Sequence, residues 1–429
     1  MHAKPMRYKG ETCRVYHSIF GKFRFARCKY YSADLGSYYP LDALLNLPCS
    51  CHSYLLQSWI ARAATSEAFE PSLCLLNEVL DQDFKAMTAR RISERYGAQV
   101  DAYYDQQSPR RAQGAVLGLS CDGKGVRIVR SEREQTPQPD AARLMKGQKR
   151  GTKKQATVSV SFSFEPAPRT PEEVAKSLHR RWSPEERRAR QAKRQAAGQA
   201  KTQTALPGEQ PPAGTALDVH RRALMGPQKR ALAYGATALK RLDPEDRLPI
   251  VVLTDGHRAL VKGFPEVLAE AGLFERVEAM ILDIIHVSEY LWKCGNALLG
   301  EQHPEREAWV YERLVLILES RLEEVIEELS ALEQSKKVIA EALGYFRNHR
   351  HMMDYRSYLG RGFPISTGLV EGTCGHLVKD RMEGSGMRWS RAGAQHILDT
   401  RAVEKNGDWD DFSAFVKEQG QSPIYQMAA

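Results

Sequence analysis

The 429-residue sequence lacks a long apolar run and has few cysteines for its length. No stretch of roughly 18 or more uninterrupted apolar residues occurs, and the first residues contain no apolar segment typical of a secretory signal. Eight cysteines scattered over this length do not make a disulfide framework. These absences argue against a membrane-spanning or disulfide-stabilised protein. We therefore expect a cytoplasmic protein with no membrane partner.

The cysteines also offer little for a structural zinc site. Cys49, Cys51 and His52 lie close together, and Cys13 and Cys28 precede them. Structural zinc usually takes paired cysteine motifs in two halves, and the sequence contains no second pair. Small buried or half-exposed thiols are the simpler interpretation, and whether the N-terminal cysteines bind zinc stays open.

The charge balance lacks an acidic excess and favours a polyanionic partner. Lysine and arginine number 62 against 53 aspartate and glutamate residues, which gives a net charge of +9. This balance alone does not choose between nucleic acid and an anionic membrane. Arginines are dense in an insertion at about residues 166–214, whose second half is rich in proline, glycine and glutamine and is typical of a flexible segment. It is either a solvated segment or a phosphate contact.

Residues 1–107 predict a helical N-terminal module. A short basic and aromatic beginning precedes helical periodicity, and "FEPSLCLLNEVLDQDFKAMTARRISERYG" is typical of a helix, a short turn and a second helix. Arg90, Arg91 and Arg95 lie on that second helix. A helix-turn-helix that grips DNA has this pattern, and so does a helical pair whose basic face is solvated.

From residue 108 the pattern changes to alternating strands and helices. "ATVSVSFSFE" alternates as a β-strand does, "LPIVVLTDGHRAL" supplies a buried strand, and "VEAMILDIIHVSEYLW" passes from strand to helix. We therefore expect an α/β fold with a mixed sheet flanked by helices over residues 108–286. Residues 287–360 predict an all-helical segment, and residues 361–429 contain the last part of the core and a C-terminal tail.

Two aspartates follow apolar strands in this region. Asp255 comes directly after "PIVVLT", and ligands are bound at the carboxyl ends of strands in α/β sheets. Asp122 follows an apolar run in "GAVLGLSCDGKGVRIVR". Asp255 alternatively caps the next helix, and Asp122 with Gly123 alternatively forms a hairpin turn. A third carboxylate, Glu371 in "GFPISTGLVEGTCGHLVKDRMEGSGMRWS", favours a metal site over both alternatives.

Two aspartates and a glutamate from separate elements match the requirements of divalent metal ions. Mg²⁺ prefers oxygen ligands, and a pair of ions about 3.5 to 4 Å apart needs several carboxylates. One ion activates the attacking oxygen of a phosphodiester reaction and the other stabilises the leaving oxygen. Such a site needs no base of tuned pKa.

Five stretches resemble the Kra-type family of bacterial insertion-sequence transposases, relatives of the Mutator-like group. They are "LSCDGKGV", "RTPEEV", "VLTDGH", "ILDIIHVSEYLW" and "GFPISTGLVEGTCGHLVKDRMEGSGMRWSRAGAQHIL". The last is highly specific, and the likeness extends from about residue 41 to residue 403. It implies a ribonuclease-H-like catalytic core that an all-α insertion interrupts before the glutamate. On that pattern Asp122, Asp255 and Glu371 are the catalytic residues and the metal ligands.

The resemblance also implies a cofactor and partners. The cofactor would be Mg²⁺, for which Mn²⁺ substitutes. The partners would be the terminal inverted repeats of an element and a target DNA, bound by a homodimer or a higher oligomer because two ends must be brought together. The expected location is the bacterial cytoplasm, at the nucleoid when DNA is bound.

Four residues before and within the helical segment have roles that the resemblance suggests. The family's Asp-x-x-His signature falls on Asp283 and His286, which would brace the active site or touch DNA. Trp292 and Trp309 are candidates for stacking on a base near the cleaved DNA end. Each tryptophan is equally consistent with a place in a helical core.

The region around Glu371 contains three cations and one departure from the family. Lys379, Arg381 and Arg388 either hold DNA phosphates or lie on a solvated surface. Gly375 stands where the family usually has an arginine, so one phosphate contact is missing. No clear zinc ribbon precedes the helical module.

Three functions are consistent with these patterns. A transposase binds inverted repeats, cleaves at the element ends and joins the 3′ hydroxyl to target DNA. A ribonuclease-H-like nuclease or resolvase cleaves without joining. A DNA-binding derivative of a transposase is expected to have lost a carboxylate of the triad, and this sequence retains all three.

Overall fold

The computed structural model of the protein describes residues 6–132, 152–179, 214–332, 337–384 and 386–420. The strands are β1 (Arg7–Ser18), β2 (Gly21–Ser32), β3 (Gly36–Tyr38), β4 (Val116–Arg127), β5 (Lys153–Phe164), β6 (Ala216–Leu224), β7 (Ile250–Thr254) and β8 (Val277–Leu282). The helices before β7 are α1 (Pro40–Leu44), α2 (Tyr54–Ser66), α3 (Pro71–Leu80), α4 (Ala86–Gly97), α5 (Val100–Asp105), α6 (Pro171–Leu178) and α7 (Gln228–Leu242).

Short 3-10 turns lie at Arg130–Glu132, Phe274–Arg276 and Arg350–Met352. The remaining helices follow β7. They are α8 (Arg258–Glu270), α9 (Ile284–Leu298), α10 (Arg306–Leu318), α11 (Leu322–Ala331), α12 (Lys337–His349), α13 (Tyr355–Gly360), α14 (Gly368–Thr373), α15 (Asp380–Met382), α16 (Arg391–Asn406) and α17 (Trp409–Gln419). A π-helical turn, Cys374–Lys379, joins α14 to α15. The predicted insertion at about residues 166–214 lies mostly outside the described residues, which stop at 179 and resume at 214.

A five-stranded mixed sheet forms the centre of the fold, in the order β6-β5-β4-β7-β8. β4 and β6 run antiparallel to β5 between them, whereas β7 and β8 run parallel to β4. Every residue of β7 is buried, as its continuous apolar run predicted. The prediction of a mixed sheet flanked by helices is confirmed.

The alternating strand β5 is buried on both of its faces. The serine face is covered by α7, where the hydroxyl of Ser161 donates to the carbonyl of Gly235 at 3.1 Å. A Cβ at Gly235 would lie 2.5 Å from Oγ of Ser159, so only glycine lets the helix backbone come this close. Small serines on the strand and a glycine on the helix thus fix how closely α7 packs on the sheet.

The alternative prediction of a hairpin turn at Asp122 and Gly123 is wrong. β4 runs unbroken through both residues, and they pair with Val158 and Thr157 of β5. A Cβ at Gly123 would meet only the end of the exposed side chain of Gln155, which can move away, so packing does not explain the glycine. Pairing with β5 over the whole length of β4 outweighs the local turn preference of an Asp-Gly pair.

The sequence analysis predicted a helical N-terminal module. The structure shows that this module is not helical throughout. Residues 7–38 form an antiparallel sheet of three strands, in which β1 and β2 make a long two-stranded ribbon. Tyrosine occurs in both strands, with valine in β1 and phenylalanine in β2, and these residue types are enriched in pleated sheets. The predicted helices follow from α1 onwards, and α3 and α4 form the expected helix, turn and helix.

The helices of the N-terminal module share a hydrophobic core with the C-terminal helices. Leu56 and Ile60 of α2 and Tyr96 of α4 cluster with Trp409 and Phe412 of α17. The indole nitrogen of Trp409 also donates to Ser58 at 3.1 Å. The N-terminal helices α2 and α4 therefore pack against the C-terminal helix α17.

Between β8 and α14 the described secondary structure is helical, as predicted for residues 287–360. Buried residues of α10 and α12, such as Leu314 and Phe346, belong to the same hydrophobic core as the central sheet. No helix in the described part of the chain is both long and apolar enough to cross a membrane.

His220 on β6 makes stability depend on pH. Burial, and then the positive charge of Arg222, lower the pKa of His220 to about 3. The imidazole therefore stays neutral in the folded protein, whereas the unfolded chain binds a proton near pH 6.5. This contribution to stability is complete above pH 6.5 and is lost as pH falls.

We expect the free energy of unfolding to fall by about 1 to 2 kcal/mol between pH 7 and pH 5 through this one group. The variant His220→Phe keeps a ring against Tyr104, which His220 contacts edge-on at 4.7 Å, and removes the titration. Urea unfolding at both pH values measures the difference between the two proteins. Equal pH dependence of wild type and variant would contradict the assignment.

Candidate active site

Asp122 and Asp255 lie at matching positions along two neighbouring strands of the central sheet. β4 and β7 run parallel, with Ser120 opposite Leu253. Asp122 and Asp255 each come two residues after this pair. The strand register therefore places the two aspartates of the predicted triad on the neighbouring strands β4 and β7, level with the carboxyl end of β7.

Asp255 stands in a turn and does not cap a helix. Its Oδ1 accepts a hydrogen bond from the backbone nitrogen of His257 at 2.8 Å, and Gly256 between them has a positive φ of 84°. Helix α8 begins at Arg258, with His257 as its N-cap residue. The capping alternative for Asp255 is therefore wrong. Among the described residues no hydrogen bond to Oδ2 of Asp255 is present, so this half-buried carboxylate has an oxygen to offer.

The helical segment after β8 holds the turn at Asp255 through hydrogen bonds to its backbone. The hydroxyl of Tyr345 donates to the carbonyl of Asp255 at 2.9 Å, and Nε2 of His349 lies 3.1 Å from the carbonyl of Gly256. Tyr290 stacks on Tyr345 with ring centroids 4.2 Å apart. Helices α9 and α12 thus fix the backbone on which Asp255 is held.

Asp122 is held in the half-buried part of β4, next to the helix that carries Glu371. Its Oδ1 accepts from the backbone nitrogen of Gly123 at 2.5 Å. The carboxylate also contacts the thiol of Cys374, and burial together with the charge of Asp122 raises the pKa of Cys374. Cys374 lies three residues after Glu371, so the helix that carries Glu371 packs against β4 beside Asp122.

A third aspartate, Asp283, continues the row of carboxylates and is completely buried. It directly follows β8, which runs parallel to β7. Its Oδ1 accepts from the backbone nitrogens of Ile285 at 3.1 Å and Thr367 at 3.2 Å. Its Oδ2 lies 2.6 Å from Nδ1 of His286 and 2.9 Å from the hydroxyl of Thr367.

His286 forms an ion pair with Asp283 in which the carboxylate is buried and the imidazole is partly exposed. The hydrogen bond that His286 donates to Asp283 raises the pKa of His286 to about 9, against the opposing effect of burial, and the negative charges of Asp283, Glu289 and Asp255 add to the rise. The imidazole is therefore protonated at neutral pH. The negative charge of Asp255 is near enough to add to this rise, so Asp255 and the pair of Asp283 and His286 lie in the same region of the fold.

Glu371 joins this ion pair through a shared hydroxyl. Oε1 of Glu371 lies 3.8 Å from Nδ1 of His286 and 2.9 Å from the hydroxyl of Thr367. This hydroxyl has one proton to share between Glu371 and Asp283. With 40% of its side chain exposed, Glu371 is oriented by these contacts but remains open to a ligand.

Asp283, His286 and Glu371 form a group that could hold a metal ion, since their ligand atoms all lie within 4.8 Å of one another. No other such group of three or more is found in the described part of the chain. Within this group Nδ1 of His286 lies at Oδ2 of Asp283, so His286 could bind an ion through Nε2, and only as the neutral imidazole. Glu371 is the most exposed member of the group.

The two predicted stacking tryptophans are half-buried against the protein core. The ring of Trp292 lies between His179, at 5.6 Å, and the guanidinium of Arg306, at 5.2 Å. Arg313 lies 4.5 Å over the ring of Trp309. Since both rings already have partners inside the protein, the geometry favours the helical-core alternative for each.

The three cations after Glu371 lie in different environments. Lys379 and Arg388 are exposed, as a phosphate contact requires. Arg381 is only 1% exposed and donates through Nε to the carbonyl of Ala64 at 3.0 Å. A surface role for Arg381 is therefore wrong, because the π-helical turn before it changes the helical spacing and directs this side chain into the interior.

The three arginines of α4 are exposed, but two of them already have polar partners. Arg90 pairs with Glu94 at 2.8 Å, and Arg95 donates to Gln57 at 2.8 Å. Among the described residues Arg91 has no hydrogen bond or ion pair. Of the three arginines that were candidates for DNA contact, only Arg91 is therefore without a polar partner in the described part of the chain.

The ribbon of β1 and β2 presents exposed charge that the sequence analysis did not single out. Its exposed cations are Arg7, Lys9, Lys22 and Arg24. Phe20 at the tip is 84% exposed. The regular alternation of basic and aromatic residues in "GKFRFARCKYY" was the available signal for such a strand.

Thr367 and Tyr345 are the functional candidates that the sequence analysis missed. Thr367 precedes Glu371 by four residues, so a hydroxyl one helical turn before a candidate ligand was a usable signal. Tyr345 acts over 90 residues of sequence, and no local pattern indicates that contact. The cysteines of the N-terminal module form no metal-binding group in the described residues.

No protein-family model matches the sequence, and a comparison with curated proteins gives no significant match.

Proposed function

We propose that this protein is the DNA transposase of a bacterial insertion sequence, acting through Asp122, Asp255 and Glu371. The observation that carries the proposal is the register of β4 and β7, which aligns two aspartates on neighbouring strands. The helix of Glu371 packs against the same strand, β4. The sequence resemblance supplies the reaction class, and the arrangement of the carboxylates supports it.

A ribonuclease-H-like core is part of this proposal. Three antiparallel strands followed by two strands parallel to the first, with helices on the sheet, are compatible with such a core. The helices between β8 and α14 occupy the place of the proposed all-α insertion, directly before Glu371. Their contacts to the Asp255 turn give this insertion a supporting role in the site.

The carboxylates of the proposed triad are the ligand type that a hard divalent cation prefers, although their ligand atoms do not all lie within 4.8 Å of one another as those of Asp283, His286 and Glu371 do. Asp122, Asp255 and Glu371 are half-buried carboxylates, and Mg²⁺ prefers oxygen ligands, with Mn²⁺ as a substitute. These three residues would hold the ion. When bound at such carboxylates, divalent ions stabilise the charge that develops on the attacking and leaving oxygens of a phosphodiester.

The pair of Asp283 and His286 positions and balances this acidic site. Asp283 holds the imidazolium in place, and the shared hydroxyl of Thr367 links the pair to Glu371. A protonated imidazole is 34% exposed next to three carboxylates and can bind the phosphate of a DNA strand. This assigns His286 to substrate binding and Asp283 to positioning.

DNA recognition is proposed for the N-terminal module. A two-stranded β-ribbon or an α-helix fits the major groove of DNA, and the module offers both in β1 with β2 and in α4. The exposed cations of the ribbon suit backbone phosphates. Two element ends must be brought together, so we further propose that a dimer or a higher oligomer forms on DNA.

The ribbon cations are expected to set the salt dependence of DNA binding. For the double variant Lys22→Ala, Arg24→Ala we expect the slope of log K against log salt to fall by about 1.8, since each lost phosphate contact contributes about 0.9. Fluorescence anisotropy with a labelled duplex at several salt concentrations measures the slope. Lys240→Ala, an exposed lysine on α7, is the matched control. An unchanged slope in the double variant would remove the ribbon from the DNA interface.

The experiment that tests the proposed function is a joining assay. A labelled duplex that carries an end of the element is incubated with a target plasmid, the protein and Mg²⁺ or Mn²⁺. Joined product that disappears with a chelator supports a transposase. Cleavage without joining would instead indicate a ribonuclease-H-like nuclease or resolvase, and neither product at any metal concentration would overturn the proposal.

A further inference from the structure

A cavity of about 540 Å³ lies between the N-terminal helices and the segment around α16. This volume falls within the range of about 300 to 1,000 Å³ of sites that hold small molecules. Its lining contains none of the carboxylates of the active site. The apolar side chains are Phe69, Val129, Met387, Trp389 and Ile397, and the charged ones are Arg90, Arg381, Arg388, Glu94 and Glu132.

Arg381 in the wall of this cavity is a buried cation without a counter-charge. Its guanidinium lies 4.8 Å over the ring of Trp389 and 5.4 Å over that of Phe69. No carboxylate pairs with it among the described residues, and its Nη2 has no hydrogen-bond partner there. Burial and the neighbouring charge of Arg401 lower the pKa of Arg381 to about 10. Buried charges are normally paired, so this one requires an anion.

Two further polar atoms of the cavity wall are buried without a partner in the described structure. They are Oγ of Ser93, a residue that is completely buried, and Nδ1 of His396. Buried polar groups are almost always hydrogen-bonded, and an unsatisfied group calls for a missing partner. Three such groups around one cavity point to a ligand with several polar atoms.

The remaining wall defines the chemistry of that ligand. The rings of Phe69 and Trp389 meet edge-on at 6.3 Å and give the cavity an aromatic side. Arg388 is exposed at the cavity and adds a second guanidinium for an anion. The carboxylates of Glu94 and Glu132 are acceptors for amino groups. A flat ring with an amino group, attached to an anionic group, satisfies each of these features.

We propose that this cavity binds a nucleoside phosphate. The phosphate supplies the counter-charge of Arg381 and contacts Arg388, and the base lies along Phe69 and Trp389. The phosphate could belong to a free nucleotide or to a nucleotide of bound DNA. The proposal does not depend on the transposase assignment, because it uses no residue of the triad.

Calorimetric titration of the full chain with dAMP tests the proposal, with inorganic phosphate and deoxyadenosine as partial ligands. We expect dAMP to bind, and each partial ligand to bind at least tenfold more weakly. Equal binding of inorganic phosphate and dAMP would overturn the nucleoside part, and no binding of dAMP at millimolar concentration would overturn the whole.

Two variants locate the binding. Arg381→Met fills the same space without the charge, and we expect at least a tenfold loss of dAMP affinity. Arg388→Met changes an exposed side chain, so the fold is not at risk, and we expect a threefold to tenfold loss. Arg247→Met, at an arginine that pairs with Glu245 outside the cavity, is the control. Wild-type affinity in Arg388→Met and in folded Arg381→Met would contradict the proposal.

A competition experiment then identifies the source of the phosphate. If a short DNA duplex displaces dAMP from the wild-type protein, a nucleotide of the bound DNA occupies the cavity. If DNA and dAMP bind together, the ligand is a free nucleotide. Both outcomes support the site, since both require dAMP to bind.

Discussion

Replacement of Asp255 by asparagine is expected to abolish DNA joining while the fold stays intact. Asparagine keeps an oxygen that can accept the hydrogen bond from His257, which holds the turn, and loses only the negative charge. A metal ligand contributes several kcal/mol of transition-state stabilisation, so the joining rate should fall by about a thousandfold or more. The initial rate of joined product in Mg²⁺ measures this loss.

Thermal unfolding of Asp255→Asn should match that of the wild type, because the contacts around the turn are retained. Asp410→Asn is the control, since Asp410 is exposed on α17 and has no part in the site. Joining by Asp255→Asn within twofold of the wild-type rate would make Asp255 a turn residue only. The proposed triad would then be wrong.

Replacement of Asp283 by asparagine should destabilise the protein by about 1 to 3 kcal/mol, since a completely buried carboxylate loses the charge that its hydrogen-bond donors require. Asp283 is completely buried and accepts from two backbone nitrogens as well as from His286. The amide group of asparagine would face the donors His286 and Thr367 with a donor of its own. Urea unfolding in the absence of metal measures the loss.

His286→Gln is the companion variant for Asp283→Asn. Glutamine has an uncharged donor that can reach Asp283, so the loss of stability should be smaller, and DNA affinity should fall because a positive charge is removed. A loss of unfolding free energy in Asp283→Asn that appears only when Mg²⁺ is present would contradict the positioning role. It would show that Asp283 itself binds the ion.

The position of Asp255 could be predicted from the sequence, whereas that of Asp122 could only be predicted in part. A continuous apolar run specifies a buried strand, and β7 ends one residue before Asp255. Asp122 and Gly123 carry the local signal of a turn, and this signal is overruled by β5. Pairing with a strand that lies more than 25 residues further along the chain leaves no trace in a local pattern.

The environment of a charged side chain was the hardest feature to predict. Arg381 was expected either at a DNA phosphate or on a solvated surface, because arginine is usually exposed. Its burial depends on Phe69 and Trp389, which are distant from each other in sequence and meet only in the folded protein. The link between His286 and Glu371 likewise joins two ends of the helical segment. The residues of the site were thus predictable by type and spacing, but the contacts between them were not.

The most direct test of the central claim is Mn²⁺ binding to the full chain, measured by electron paramagnetic resonance of the free ion. The triad predicts that Asp122→Asn, Asp255→Asn and Glu371→Gln each weaken Mn²⁺ binding strongly, while His286→Gln leaves it unchanged or stronger. Binding that is lost in His286→Gln and kept in Asp122→Asn and Asp255→Asn would contradict the account. The ion would then lie with Asp283, His286 and Glu371, away from the paired aspartates of β4 and β7.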